Sequence, residues 1–155
     1  MSPLARTYLL AGLAASPSLV AGLVDGVEDA VADHRPAPDR FTLRELVAHL
    51  ADWDTVWLER VRRMVTEDEP ILLSQDPDDR ARDQRYGEFP VEHWSRAFEH
   101  NRAALVAFLT DLPRDAWERT GFRDGVGGCT VGEIAVMALG HDTGHHRQLV
   151  DMVRG

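Results

Sequence analysis

Phe41-Thr-Leu-Arg-Glu-Leu-Val-Ala-His-Leu-Ala-Asp-Trp-Asp-Thr-Val-Trp57 decides how this chain folds. Thr42 and Glu45 stand at the spacing of a capping box, in which a threonine hydroxyl and a glutamate carboxylate satisfy the orphan backbone donors of a helix start. Phe41 and Leu46 occupy the positions of a hydrophobic staple across that start. Beyond it, Leu46, His49, Leu50, Trp53, Val56, Trp57 and Val61 fall on one broad helical face, which faces a core. His49 lies inside that apolar stripe. It reads either as a core imidazole hydrogen-bonded to a neighbour or as a ligand.

The same device returns at Thr130-Val-Gly-Glu133, with Cys129 and Ile134 as the staple pair. The helix it starts carries Gly140-His-Asp-Thr-Gly-His-His146 between two apolar runs. His141 and His145, four apart, project from one face about one turn from each other, close enough for two imidazoles to grip one ion. The spacing alone is a weak signal in a chain with seven histidines. Two buried imidazoles nevertheless want a partner, and a metal supplies one. His49 is the candidate third ligand. It stands seven residues past its capping threonine, and His141 and His145 stand eleven and fifteen past theirs, so all three sit at mid-helix depth. Gly140 and Gly144 flank the pair, each costing about 1 kcal/mol relative to alanine. They either admit another helix or a coordination position, or are merely tolerated.

The remaining segments repeat apolar residues at three and four and never alternate like a strand, so the expected fold is all-α, a four-helix bundle in one domain spanning residues 1–155. The first helical region is expected over residues 3–32, broken at Ser16-Pro17, with Leu4, Tyr8, Leu13, Leu19, Leu23, Val27 and Val31 as its stripe. The third helix is expected over residues 91–111, with Trp94, Phe98, Leu105 and Phe108 as apolar positions. The 24 residues from Glu67 to Pro90 are long enough to cross a bundle end, so helices two and three can run parallel. Residues 112–129, with Pro113, Gly125, Gly127 and Gly128, form a second long connection able to roof a site.

Composition narrows function. At 155 residues the chain can bury a core without disulfides. A net charge of −9 with no lysine argues against nucleic acid, whose recognition needs clustered cations. One cysteine, Cys129, suits a reducing compartment, and a cytoplasmic location is expected. Arg6 and the run Tyr8–Ala15 resemble a short signal peptide only superficially, since Ser16-Pro17 reads more simply as a helix start. No stretch is expected to reach the roughly 20 apolar residues of a membrane span.

Three neutral imidazoles would leave the charge of a divalent ion unneutralised and a coordination position open. Zinc, nickel and iron(II) all suit such a set. Water or a thiol at that position would be acidified toward use as a nucleophile. No glutamate follows His141 directly, so the zincin motif is absent. Asp52, three residues after His49, can lie beside the site and accept from an imidazole or a water, or be a solvated aspartate. Asp142 and His146 project about 100° from the ligating pair. Arg147 and Gln148 are weaker candidates for an anionic substrate. Cys129 reads as packing, or as a nucleophile near a helix start.

Phe41-Thr-Leu-Arg-Glu-Leu-Val-Ala-His-Leu-Ala-Asp52, Trp57-Leu-Glu-Arg60 and His141-Asp-Thr-Gly-His-His-Arg-Gln-Leu149 together resemble the DinB-like superfamily of four-helix metalloproteins, which includes the bacillithiol transferases and the mycothiol-dependent maleylpyruvate isomerases. The resemblance spans the chain, with only the two histidine segments diagnostic. It implies a bundle with a crossover between helices two and three, often a homodimer, with a divalent ion on His49, His141 and His145. Many members carry a tryptophan where Phe41 stands, a departure that bears on packing. The activity so implied is metal-dependent transfer of a low-molecular-weight thiol to an electrophilic small molecule, or hydrolysis of one. A non-catalytic metal-binding stress-response protein and a helical dimerisation module are the rival readings.

Overall fold

Six helices and three short strands make up the computed structural model, which describes residues 1–155: α1 (Pro3–Val24), α2 (Asp29–Ala32), α3 (Leu43–Thr66), β1 (Ile71–Leu72), α4 (Pro77–Asp83), α5 (Val91–Asp111), β2 (Thr120–Arg123), β3 (Gly127–Thr130) and α6 (Val131–Arg154). Both capping boxes form, at Thr42/Glu45 and at Thr130/Glu133, and they set the starts of α3 and α6. Helix α5 begins after Pro90, whose fixed φ suits the entry to a helix.

Helices α1, α3, α5 and α6 form the bundle, with α1 and α3 each packed against both α5 and α6. Their directions follow from cross-contacts. The Asn101 amide donates to the Ala51 carbonyl, Arg102 pairs with Asp54, and Arg62 lies over Phe108, so α3 and α5 rise together. Gly12 abuts Leu139 and Ser16 meets His146, so α1 and α6 also run parallel. His49 faces His141 and His145, while Leu46 shares a core with Leu149, so α3 and α6 are antiparallel. The crossover from Glu67 to Pro90 makes the parallel α3–α5 pair possible. It carries β1, α4 and a short 3-10 turn at Tyr86–Glu88.

The chain departs from a purely helical expectation in a small sheet of order β1-β2-β3, parallel between β1 and β2 and antiparallel between β2 and β3. Strands of two to four residues are too short to show a period of two. Gly125 and Gly127, at φ +75° and +108°, make the β2–β3 turn. At Gly121 a Cβ would come within 3.2 Å of the Pro70 carbonyl, so the close approach of β2 to the crossover requires glycine.

The first helical region also differs. Helix α1 runs unbroken through Ser16-Pro17 and ends at Val24, ahead of Gly26 at φ +70°. Its buried side is Leu9, Leu13, Ser16, Pro17, Val20 and Val24, while Leu4, Tyr8 and Leu19 of the expected stripe are exposed. Two reasons account for this. A stripe counted across a supposed helix break loses its phase, and the real face includes a serine and a proline. Proline tolerates the interior because the carbonyl it orphans, that of Leu13 four residues back, accepts from Arg102 at 2.9 Å. Contrary to the expectation from sequence, α1 is long and apolar enough to cross a bilayer. Here it serves as a bundle helix with one face buried against α5 and α6.

Candidate metal centre

Helix α3 places His49 on its buried face, 4% exposed, and α6 places His141 and His145 one turn apart opposite it, both half-buried. Nε2 of His49 lies 2.9 Å from Nε2 of His141, which lies 3.1 Å from Nε2 of His145. One nitrogen from each ring falls within 4.8 Å of the others. Ligand nitrogens at about 2.1 Å from a shared ion stand roughly 3 to 3.4 Å apart. The spacing therefore fits a single ion.

Tautomers sharpen that test. Nδ1 of His145 lies 2.8 Å from the Gln148 side-chain oxygen, which can only accept, so Nδ1 carries the hydrogen and Nε2 presents a lone pair inward. The Asp142 carboxylate, 4.0 Å from Nδ1 of His141, favours the same tautomer there. With Nδ1 protonated on both rings, the two inward lone pairs at 3.1 Å repel one another unless a cation lies between them. A proton is a poor choice. Burial, reinforced by the neighbouring imidazoles, pushes His49 down to about 2 and His145 down to about 4. A divalent metal ion meets the requirement, and three nitrogens suit zinc, nickel or iron(II) alike. Nδ1 of His49 is buried and meets no partner.

Aromatic rings wall the cluster. Trp53 lies 4.6 Å from His49 and stacks on His141 at 6.0 Å, while Phe41 and Trp57 stand at 5.4 Å from His49 and 5.9 Å from His141, between ring centroids. The wall leaves His141 and His145 as the accessible edge. The surface cleft along α3 and α5, lined by Thr55, Leu58, Arg62 and Ala104, contains none of the three histidines.

Asp52 is buried rather than solvated, and its carboxylate accepts from Arg80 through two bonds of 2.6 Å and from the Tyr86 hydroxyl at 2.6 Å. Trp94 in turn donates to the Tyr86 carbonyl. These bonds fasten α4 and the turn after it onto α3, one turn beyond His49. Asp142 and His146 point away from the cluster, to Arg102 and to Ser16. Gln148, considered for a substrate anion, holds His145 instead, and Arg147 is exposed. Cys129 is buried in the core beside Val131 and Ile134, and burial raises its thiol above the usual range, which suits packing.

Sequence reasoning missed the polar core behind the histidines. Arg102 on α5 donates to Asp54 on α3 at 2.8 and 2.9 Å, to Asp142 on α6 and to the Leu13 carbonyl on α1, so one guanidinium joins all four helices. Burial disfavours ionisation at both aspartates. At Asp54 it prevails and pushes the carboxyl up to about 7, whereas at Asp142 the neighbouring His141 and Arg102 outweigh it and hold the group at about 2. A signal was present: Arg102 sits among Trp94, Phe98 and Leu105 on the buried stripe of α5, where an arginine needs partners.

A four-helix bundle with parallel central neighbours and a three-histidine cluster between α3 and α6 defines a class of histidine-bearing helical proteins. The chain belongs to the DinB superfamily, whose family model matches residues 13–149. YfiT from Bacillus subtilis, described as a probable metal-dependent hydrolase with an unusual four-helix bundle topology, superposes with a TM-score of 0.91 over 99% of this chain and 89% of its own. The two are 17% identical, so the likeness speaks for the fold. No curated protein is similar enough in sequence to match.

Proposed function

We propose that this chain is a metal-dependent enzyme acting on a small molecule, with a divalent ion held by His49, His141 and His145. The observation that carries the reading is the convergence of one nitrogen from each of three imidazoles within 4.8 Å, with Nε2 of His145 turned inward by the hydrogen bond from its Nδ1 to Gln148. The description of YfiT as a probable metal-dependent hydrolase supports the same reading. When bound, a divalent ion on three neutral imidazoles supplies Lewis acidity and lowers the pKa of a water or thiol brought to it.

The chain's own residues set the surroundings of that chemistry. His49 anchors from the buried side, while His141 and His145 leave the accessible edge free for substrate. Trp53, Trp57 and Phe41 keep bulk water from the rear of the site and offer flat apolar surface to a small organic substrate. Asp52, through Arg80 and Tyr86, holds the crossover in place beside them. We take the reaction to be hydrolysis, or transfer of a low-molecular-weight thiol to an electrophile.

A homodimer is part of the proposal. Leu4, Tyr8 and Leu19 expose an apolar face on α1, and Val136 continues it on the adjacent α6. Gly140 and Gly144 also lie on the outside of α6, where a methyl group at either position would meet nothing within 4 Å, so no neighbour within the chain accounts for them. A second copy packed closely on this face would.

Cobalt(II) substitution tests the chemistry. A visible absorption spectrum that changes on adding a small thiol, with a new sulfur-to-cobalt band, supports thiol transfer. A spectrum that responds to pH and not to thiol supports hydrolysis. Cobalt that fails to bind rejects both.

A further inference from the structure

Four buried side-chain polar atoms in this chain lack a hydrogen-bond partner, and three of them belong to side chains that meet at one indole ring: Nε1 of Trp57, Nη1 of Arg60 and Nε of Arg123. The fourth is Nδ1 of His49, in the neighbouring histidine cluster. Both guanidiniums lie against the Trp57 ring, with Cζ 5.1 Å from its centroid for Arg60 and 5.7 Å for Arg123. Trp57 in turn meets His141 edge-on at 5.9 Å. We propose that Trp57, Arg60 and Arg123 form a receptor for a carboxylate group of the substrate, one indole ring away from the histidine cluster. The inference rests on the reading of that cluster as the reaction centre.

Charge is unbalanced around this ring. Three arginines are buried, and two are clasped by aspartates: Arg44 by Asp29 and Asp33, Arg102 by Asp54 and Asp142. Arg60, 4% exposed, reaches no carboxylate and donates only to the Leu73 carbonyl, at 3.3 Å. Arg123 donates to the Met137 sulfur at 3.3 Å, a weak acceptor. A chain with 26 acidic residues has left this pair of cations unmatched. Glu59, on the exposed side of α3, and the buried Cys129 thiol are the negative influences on Arg60, and burial together with the charge of Arg123 outweighs them. Such an arrangement is costly in the free protein and favourable once an anion arrives.

The donor set selects the anion. A guanidinium edge matches the two oxygens of a planar carboxylate, and the indole N–H adds a third donor. Arg123, half-exposed on the β2–β3 hairpin and held only by a sulfur, is the side from which the anion enters. A carboxylate lodged there would leave the rest of a small substrate lying across Trp57 toward His141.

The test is calorimetric titration of benzoate, with benzamide as the neutral isostere and inorganic phosphate as the rival oxyanion. It uses wild type, Arg60→Met and Arg123→Gln, each as purified and after chelation. The inference predicts saturable benzoate binding with and without metal, at least tenfold tighter than benzamide or phosphate. It also predicts at least tenfold weaker benzoate binding in both variants, with metal content unchanged. Removing an unmatched buried cation should leave the melting temperature of Arg60→Met equal or higher, whereas a structural arginine would lower it. Arg123→Gln, at a half-exposed position, keeps the test open if Arg60→Met folds poorly. Benzoate affinity that survives in both folded variants, or that matches benzamide or phosphate, overturns the receptor. So does benzoate binding that is lost on chelation yet retained in the variants, because the carboxylate then sits on the ion. Wild type that holds no metal as purified and takes up none when zinc, nickel or iron(II) is added, yet binds benzoate through the two arginines, rejects the metal centre and sustains the receptor.

Discussion

Gln148 accepts a hydrogen bond from Nδ1 of His145 at 2.8 Å, and by doing so turns the Nε2 lone pair of that histidine toward His141. A side chain three residues along the same helix thus settles which nitrogen faces the cluster. Replacing it with leucine frees the ring to flip and to change tautomer. Gln148→Leu should lower zinc affinity by about tenfold or more, within the range for lost partners of ligating histidines. Gln148→Glu, which keeps an acceptor, should not. Competition titration with a chromophoric chelator reads both, and equal affinity in Gln148→Leu would remove this role.

Arg102 joins the four bundle helices through Asp54, Asp142 and the Leu13 carbonyl that Pro17 leaves free. Removing it strands two buried carboxylates and a carbonyl. Arg102→Met should cost about 3 to 5 kcal/mol of stability, the scale for breaking a buried pair by removing one partner. Urea unfolding followed by circular dichroism measures it. A loss under about 1 kcal/mol would place the network on the scale of a surface pair.

Acid should weaken the metal-free fold. His49 and His145 have folded-state values depressed to about 2 and about 4, so below about pH 6.5 the unfolded chain binds protons that the native chain refuses. Their contribution is present above pH 6.5 and is lost as the pH falls, down to about 4 for His145 and about 2 for His49. Asp54, raised to about 7, acts in the opposite sense, since between about pH 4 and 7 the native chain holds a proton that the unfolded chain has released. Two histidines against one aspartate leave almost no slope near pH 7 and one that approaches about 1.4 kcal/mol per pH unit near pH 5, stability falling with pH. Asp54→Asn should steepen it. Urea midpoints of chelated protein at pH 6.5, 5.5 and 4.5 give the slope, and stability that rises on acidification across this range contradicts the sign.

The proposed dimer is tested by charge on its face. Wild type should sediment as a dimer at micromolar concentration, and Tyr8→Asp combined with Leu19→Glu should sediment as a monomer with metal content unchanged. Both positions are exposed within one chain, so folding should survive the change. A wild type that sediments as a monomer rejects the dimer.

Much of this molecule was legible where local chemistry is self-contained. The two capping boxes located the starts of α3 and α6, and the stripe from Trp94 to Leu105 located α5. His49, His141 and His145 were drawn together by depth along their helices, and they do meet. What escaped depends on distant partners. Pro17 reads as a helix breaker until Arg102, 89 residues from Leu13, takes up the orphaned carbonyl. Asp52 reads as an acceptor for an imidazole or water beside the site, or as a solvated aspartate, until Arg80 and Tyr86 return from the crossover to occupy its carboxylate. The strands escaped because β1 has two residues and is held by pairing with β2, not by its own pattern. Arg60 follows Trp57 by three residues and so shares its helix face, and its lack of a carboxylate partner emerges only in three dimensions.

The central claim is that three histidines hold one divalent ion, and metal content measures it most directly. Wild type and His49→Ala would be purified without an affinity tag or chelator and analysed by plasma mass spectrometry, with circular dichroism confirming that both are helical. The account predicts about one ion of zinc, nickel or iron per chain in the wild type and almost none in the folded variant. Wild type that is metal-free and refuses added zinc, nickel and iron(II), or a variant that retains as much metal as wild type, would contradict it.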